Sequence, residues 1–223
     1  MLVAIHQPHY LPWLGYLHRM AQADLFIVLD HVQFERGNYQ NRTQVRVNGA
    51  AHWLTVPVVQ RSQKERIDEK LIDTRQDWDA GHFETLRRAY GAAAAAPLRA
   101  IYATPWERLV DLNEAMLHFL RDAFGIHTPL VNSSELDVQG AKSELVLNLC
   151  QAVGADALLV GLGGSRQYLD REAFARAGIE LVFQEFQHPV YPQRGPAPFT
   201  AGLSAVDFLF NQTIRPQELR IAA

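Results

Sequence analysis

Three short runs in this chain are apolar from end to end, LVAI at 2–5, LFIVL at 25–29 and ALLV at 157–160, and a fourth, IELVF at 179–183, carries a single carboxylate. Runs of this kind, without the alternation of a half-solvated strand, have to be covered on both faces, and a parallel sheet clad by helices above and below is the arrangement that does so. The intervening segments supply such helices. Leu14, Leu17, Met20 and Ala21 recur at three- and four-residue intervals between Trp13 and Ala23, which predicts a helix with one apolar face. Strand, helix and strand within about 30 residues make a βαβ unit.

The last third repeats the alternation. TPLVNSS at 128–134 is followed by a helix from about Lys142 to Val153, then ALLVGL, a helix near Arg171 to Ala177, IELVFQEF and a final amphipathic helix, LSAVDFLF, at 203–210, beyond which the tail is expected to fray. The expected class is α/β: a mainly parallel, Rossmann-like sheet with helices on both faces. Two additions interrupt it. TQVRV and HWLTVPV flank Asn48-Gly49, a strong hairpin signal. From Trp78 to Phe124 the pattern is helical, with breaks expected at Pro97 and Pro105, a stop at Gly125, and the alanines of 92–96 as a helix end. The charged residues of 60–75 read as a solvated loop. A chain of 223 residues fits one domain, with N-terminal (1–75) and C-terminal (126–223) α/β parts and a helical subdomain inserted at 76–125.

Charge and composition exclude several functions. With 21 Lys+Arg against 24 Asp+Glu the net charge is −3, so a general nucleic-acid backbone binder is not expected. One cysteine, Cys150, can form neither an internal disulfide nor a cysteine metal cage, and its apolar helix neighbours make it a core residue. Without a cationic segment ahead of a long apolar run, the chain reads as cytoplasmic, with no membrane span. The four tryptophans are scattered and look like packing anchors.

In an open parallel sheet, ligands bind beyond the carboxyl ends of the strands, where connections leave toward opposite faces. That rule selects residues 6–10, 30–34, 161–168 and 188–193. His6 and His9, in HQPH, are acid–base candidates because imidazole titrates near neutrality. An extended three-residue offset does not put both rings on one face, so no metal site is signalled. Asp30 closes an apolar strand, where a carboxylate either orients a histidine or caps a turn. Contacts to substrate are expected from Gln7 and Tyr10 in the first loop, from Gln33, Asn41 and Arg42 in an amide-rich stretch, and from Ser165 and Tyr168 in GLGGSRQYL. Arg166 offers a further donor there, and His188, Tyr191 and Gln193 stand in the rigid HPVYPQ. The same groups serve equally well to satisfy the backbone of irregular loops.

The opening AIHQPHYLPWLGYLHRMAQADLFIVLDHVQF, the stretches NRTQV and HWLTVPV, the central SSEL, and the closing GSRQYLD, HPVYPQ and LSAVDFLFN together resemble the WbqC-like protein family over residues 2 to 211. The resemblance implies a role among bacterial enzymes or accessory factors of O-antigen, other surface-polysaccharide or specialised-metabolite assembly. The family's polar signature falls on the residues named above, Arg166 apart, and on Asp207, which its place on the last helix makes structural. The resemblance leaves the reaction open; that biosynthetic context and a histidine-rich, cysteine-poor cleft lead us to expect transfer of an acyl or aminoacyl group to an amine of an amino-sugar or similar metabolite. In it His9 takes the amine proton, Asp30 orients an imidazole, and Gln33, Asn41 and Ser165 hold the oxyanion. No cofactor is required beyond a thioester acyl donor or a nucleotide, and the partners implied are a small molecule such as a nucleotide-sugar, with a carrier protein or a second copy of the chain. The opening strand, loop and helix are also similar to those of nucleotidylyltransferases, so a nucleotidyl-transfer or adenylate-forming enzyme of HUP-like fold is an alternative. A non-catalytic sugar- or partner-binding module is another. Acid–base groups gathered on one sheet edge favour an enzyme.

Overall fold

The computed structural model describes residues 1–62, 64–161, 163 and 168–211. Five parallel strands, β1 (Leu2–His6), β2 (Leu25–Val28), β5 (Leu130–Asn132), β6 (Ala157–Val160) and β7 (Glu180–Phe183), form one sheet in the order β5-β2-β1-β6-β7. Register pairs Ile5 with Ile27, Val3 with Leu158, Phe26 with Leu130 and Leu159 with Val182. The fold is thus α/β and Rossmann-like, as the apolar runs require.

Alternate residues of each strand face opposite layers. Ala4, Phe26, Val28 and Leu159 pack into a core shared with α1 (Leu14–Gln22), α5 (Leu109–Ala123) and α8 (Ala205–Asn211). On the other face, Val3 and Ile27 meet Leu145 and Leu149 of α6 (Lys142–Ala152), and Leu158 and Val160 meet Cys150 and Phe174, the latter on α7 (Arg171–Arg176). Cys150 is buried, and burial pushes its thiol up to about 12, consistent with a small core residue. No helix among the described residues is long and apolar enough to cross a membrane.

The hairpin forms as expected between β3 (Arg42–Val47) and β4 (Ala50–Thr55), with Asn48 and Gly49 both at positive φ, 51° and 82°. The helical insertion differs in detail. A break falls at Gly91, whose φ of 93° ends α2 (Trp78–Tyr90); the polyalanine stretch is a separate turn, α3 (Ala92–Ala95), Pro97 sits at the start of a 3-10 turn leading to α4 (Arg99–Ala103), and the break expected at Pro105 separates α4 from α5. Gly125, at φ 64°, does end α5. The charged segment 60–75 is not simply solvated. Ile67 and Ile72 are buried, and Lys70 donates to Glu65 at 2.7 Å below the surface while lying over the Phe34 ring. An irregular segment has no period to betray its buried residues.

From the carboxyl end of β1 the chain runs into α1 on one face of the sheet. From that of β6 it runs toward α7 on the other. The crevice that this divergence opens between β1 and β6 is where a ligand has room.

Candidate functional site

His6 is the last residue of β1 and stands at that crevice. Its Nδ1 donates to the Gln7 carbonyl oxygen at 2.9 Å, and since a carbonyl can only accept, Nε2 of the neutral ring carries the lone pair. His9 lies edge-on to it, with ring centroids 4.5 Å apart. The strand geometry that would separate the rings ends at His6, so the expectation that they part company fails. Tyr16, from the first turns of α1, stands 4.7 Å from the His6 ring and 5.4 Å from the His9 ring. Tyr39 stacks on His9 at 5.6 Å and meets Trp53, whose other neighbour is the Arg42 guanidinium, 4.2 Å from the indole centroid.

Burial decides what these groups can do. His9 is 7% exposed, its Nδ1 has no hydrogen-bond partner among the described residues, and burial pushes the imidazole down to about 3. It is neutral near pH 7 and too weak a base to take the proton expected of it. Tyr16 is buried with its hydroxyl likewise unpartnered, and burial raises it far above the phenol range. One turn further along α1, the buried Arg19 reaches Gly161 at the end of β6.

Several expected site residues serve the fold instead. The Asp30 carboxylate accepts from Ser133 Oγ (2.9 Å), the Ser134 amide (2.9 Å) and Ser134 Oγ (2.6 Å), tying the end of β2 to that of β5, so it does not orient His6 or His9. The imidazole beside it is His31, whose Nδ1 lies 2.6 Å from Ser133 Oγ. Tyr10 is fully buried, its hydroxyl shared with Tyr102 and with His82 Nδ1, and does not face a substrate. Asn41 donates to the Val56 carbonyl and pins the hairpin base. Gln7 accepts from the buried Gln40, a member of the amide-rich stretch. Gln33 is exposed and bridges to Arg66, on the far side of the β2 loop. Tyr168 is exposed and interacts electrostatically with Arg19 and Glu35. Ser165 and Arg166, with the tail beyond Asn211, lie outside the described residues.

The HPVYPQ loop belongs to another network. Asp207, at 0% exposure, accepts from Tyr90 (2.7 Å), Tyr191 (2.8 Å) and Gln193 (2.8 Å), while Gln193 Oε1 accepts from the buried Arg46. Tyr191 and Gln193 therefore hold α8 and the loop together and are not substrate groups. His188 donates from Nδ1 to the Pro189 carbonyl and packs among Phe186, Tyr191 and Phe199. Asp207 is structural, as its helix position implied, through three donors and not an ion pair of its own. Asp207→Asn keeps one acceptor and sets an amide N–H against a tyrosine hydroxyl, so it is expected to cost about 1–3 kcal/mol in urea unfolding.

Among the described residues no group of three His, Cys, Asp or Glu side chains is placed to hold a metal ion. No solved structure matches the chain. The chain is 32% identical over 217 residues, 94% of its own length and 93% of the other's, to a protein of Mycobacterium tuberculosis named Uncharacterized protein Rv1507c. The model of the WbqC-like protein family matches residues 7–218, a span that takes in the β1 loop, the hairpin, the helical insertion and the Asp207 network alike. With so much of the fold and the β1–β6 crevice inside that match, the chain belongs to the WbqC-like protein family.

Proposed function

We propose that this protein transfers an acyl or aminoacyl group from a thioester donor to the amine of an amino-sugar or similar small metabolite, with His6 as general base. The supporting observation is the His6 tautomer: the Gln7 carbonyl holds the Nδ1 proton and leaves the Nε2 lone pair at the carboxyl end of the central strand. The amine nitrogen attacks the acyl carbon and its proton passes to Nε2. The C–N bond forms, the C–S bond breaks, and the thiolate leaves with the proton that His6 returns. The Tyr16 hydroxyl takes the place of Gln33 and Asn41 as the donor to the oxyanion, because Asn41 is engaged with Val56 and Gln33 faces outward. His9, neutral and buried, forms the wall that keeps water from the reacting carbon. Thioester donors are cytoplasmic metabolites, free or on a carrier protein, so this reading puts the protein in the cytoplasm.

Nucleotidyl transfer has less support, since Arg42, a cation suited to phosphate, is stacked on Trp53. Single-turnover incubation of stoichiometric protein with acyl- and aminoacyl-thioesters and with free or nucleotide-linked amino-sugars, followed by mass spectrometry, tests the proposal. An amide product is expected with at least one pair. No amide from any pair would sink it.

A further inference from the structure

Three cations are buried deeply in the described part of the fold, and two of them are satisfied. Arg46 donates to the carbonyl oxygens of Arg194, Ala197 and Pro198, to Gln193 Oε1 and to Thr200 Oγ1. Lys70 is paired with Glu65. Arg19, at 6% exposure, is the exception: no hydrogen bond or ion pair joins it to any described residue, and its Nε is buried without a partner. A buried cation without acceptors is among the costliest arrangements a fold can retain. Burial pulls this guanidinium down to about 10, which still leaves it charged near pH 7.

Its position says what the charge is for. The side chain crosses from α1 to the carboxyl end of β6, where Nη1 lies 1.9 Å from the point a Cβ on Gly161 would occupy and Cζ lies 2.9 Å from it. Glycine is thus what admits the guanidinium to the crevice between β1 and β6. Tyr16, one turn earlier on the same side of α1, adds a buried hydroxyl without a partner, and His9 beside it a buried Nδ1 in the same state. Three buried polar atoms without partners thus come from the β1 loop and α1, at the end of the sheet where the topology makes room for a ligand.

We propose that Arg19 is the anion-binding group of this cleft, taking an oxyanion group of the substrate, phosphoryl or carboxylate, on its fork of donors. A guanidinium suits both groups through paired N–H contacts. This deepens the reading above by naming a charged group on the substrate. It rests on that reading for the place of the cleft and not for the chemistry of His6.

The test is thermal unfolding of the full chain at constant ionic strength in chloride, inorganic phosphate, pyrophosphate, acetate or malonate, for wild type, Arg19→Met and Gly161→Ala. Wild type is expected to gain several degrees over chloride with the phosphate pair or the carboxylate pair, and which pair acts identifies the group. Arg19→Met is expected to start at a higher midpoint than wild type without anion and to gain nothing on adding it. Gly161→Ala keeps the charge but displaces the guanidinium, and should weaken anion affinity at least about tenfold. No shift of wild type with any of the four anions, a shift retained in Arg19→Met, or a lower anion-free midpoint for that variant would overturn the proposal. Should Arg19→Met fail to fold, wild-type affinity in Gly161→Ala overturns it alone. His6→Ala is expected to keep the anion shift, so failure of the acyl-transfer reading and failure of this one are separable.

Discussion

His6→Ala is expected to slow single-turnover amide formation about 10²- to 10⁴-fold near neutral pH, the range over which a positioned general base contributes. The amine proton has to leave as the C–N bond forms, and of the two imidazoles at the cleft only His6 presents a basic nitrogen whose tautomer is already set, by the bond from Nδ1 to the Gln7 carbonyl. His9→Ala should behave differently. Its imidazole is pushed down to about 3 and holds no useful basicity at pH 7, so removing it opens the wall between Tyr16 and Tyr39. The expected result is a raised KM and a lowered unfolding midpoint with a much smaller loss in the chemical step. Measuring both variants over a pH series separates the roles, since loss of a general base removes a limb of the rate profile and loss of a wall does not. A wild-type rate in His6→Ala would end the assignment.

The sheet was legible because each strand is a short run buried on both faces, and the position of the cleft followed from the topology that those runs imply. Asn48-Gly49 announced the hairpin because two consecutive positive φ angles leave few other choices. Arg19 was not legible. It follows His18 in a helix whose apolar residues mark only one face, yet Gly15, Tyr16, His18 and Arg19 are all buried as well, because α1 is covered by the sheet on one side and met by the segment after β7, where Gln184 bonds the Gly15 carbonyl, on another. A cation at such a place looks the same in sequence as one on a solvated face. Tyr191 and Gln193 misled for the complementary reason. Polar residues in a strand-end loop read as ligand contacts, and only the fold brings Asp207 and Tyr90, 117 residues apart, to the same point and turns that polarity inward. Asp30 stood where a ligand-binding carboxylate stands, but Ser133 and Ser134, 103 and 104 residues on, claim it first.

Acidification from pH 8 to pH 5 is expected to cost the native state about 4 kcal/mol, largely through two buried histidines. Burial lowers His9 to about 3 and His82 to about 4; at His82 the nearby Asp79 pulls the other way without overcoming burial. In the unfolded chain both titrate near the ordinary value of about 6.5. Above that pH neither state binds the proton and stability is flat. Below it the unfolded chain takes up a proton at each site and the native state does not, so each histidine removes up to about 1.4 kcal/mol per pH unit, or about 2 kcal/mol by pH 5. The loss continues until the pH reaches the native value of each ring. His31, also lowered by burial, adds in the same direction. Glu114 opposes, because burial raises its carboxyl and the native state takes up that proton before the unfolded chain does. Glu84 and Asp73, both lowered to about 2 by arginine partners, act only below the ordinary carboxylate range. Urea unfolding at half-unit steps should therefore show a slope of about two protons just above pH 5, falling to about one in His82→Gln, which cannot titrate. A flat profile between pH 7 and 5 would mean that water reaches both imidazoles, and with them the cleft wall that His9 is argued to form.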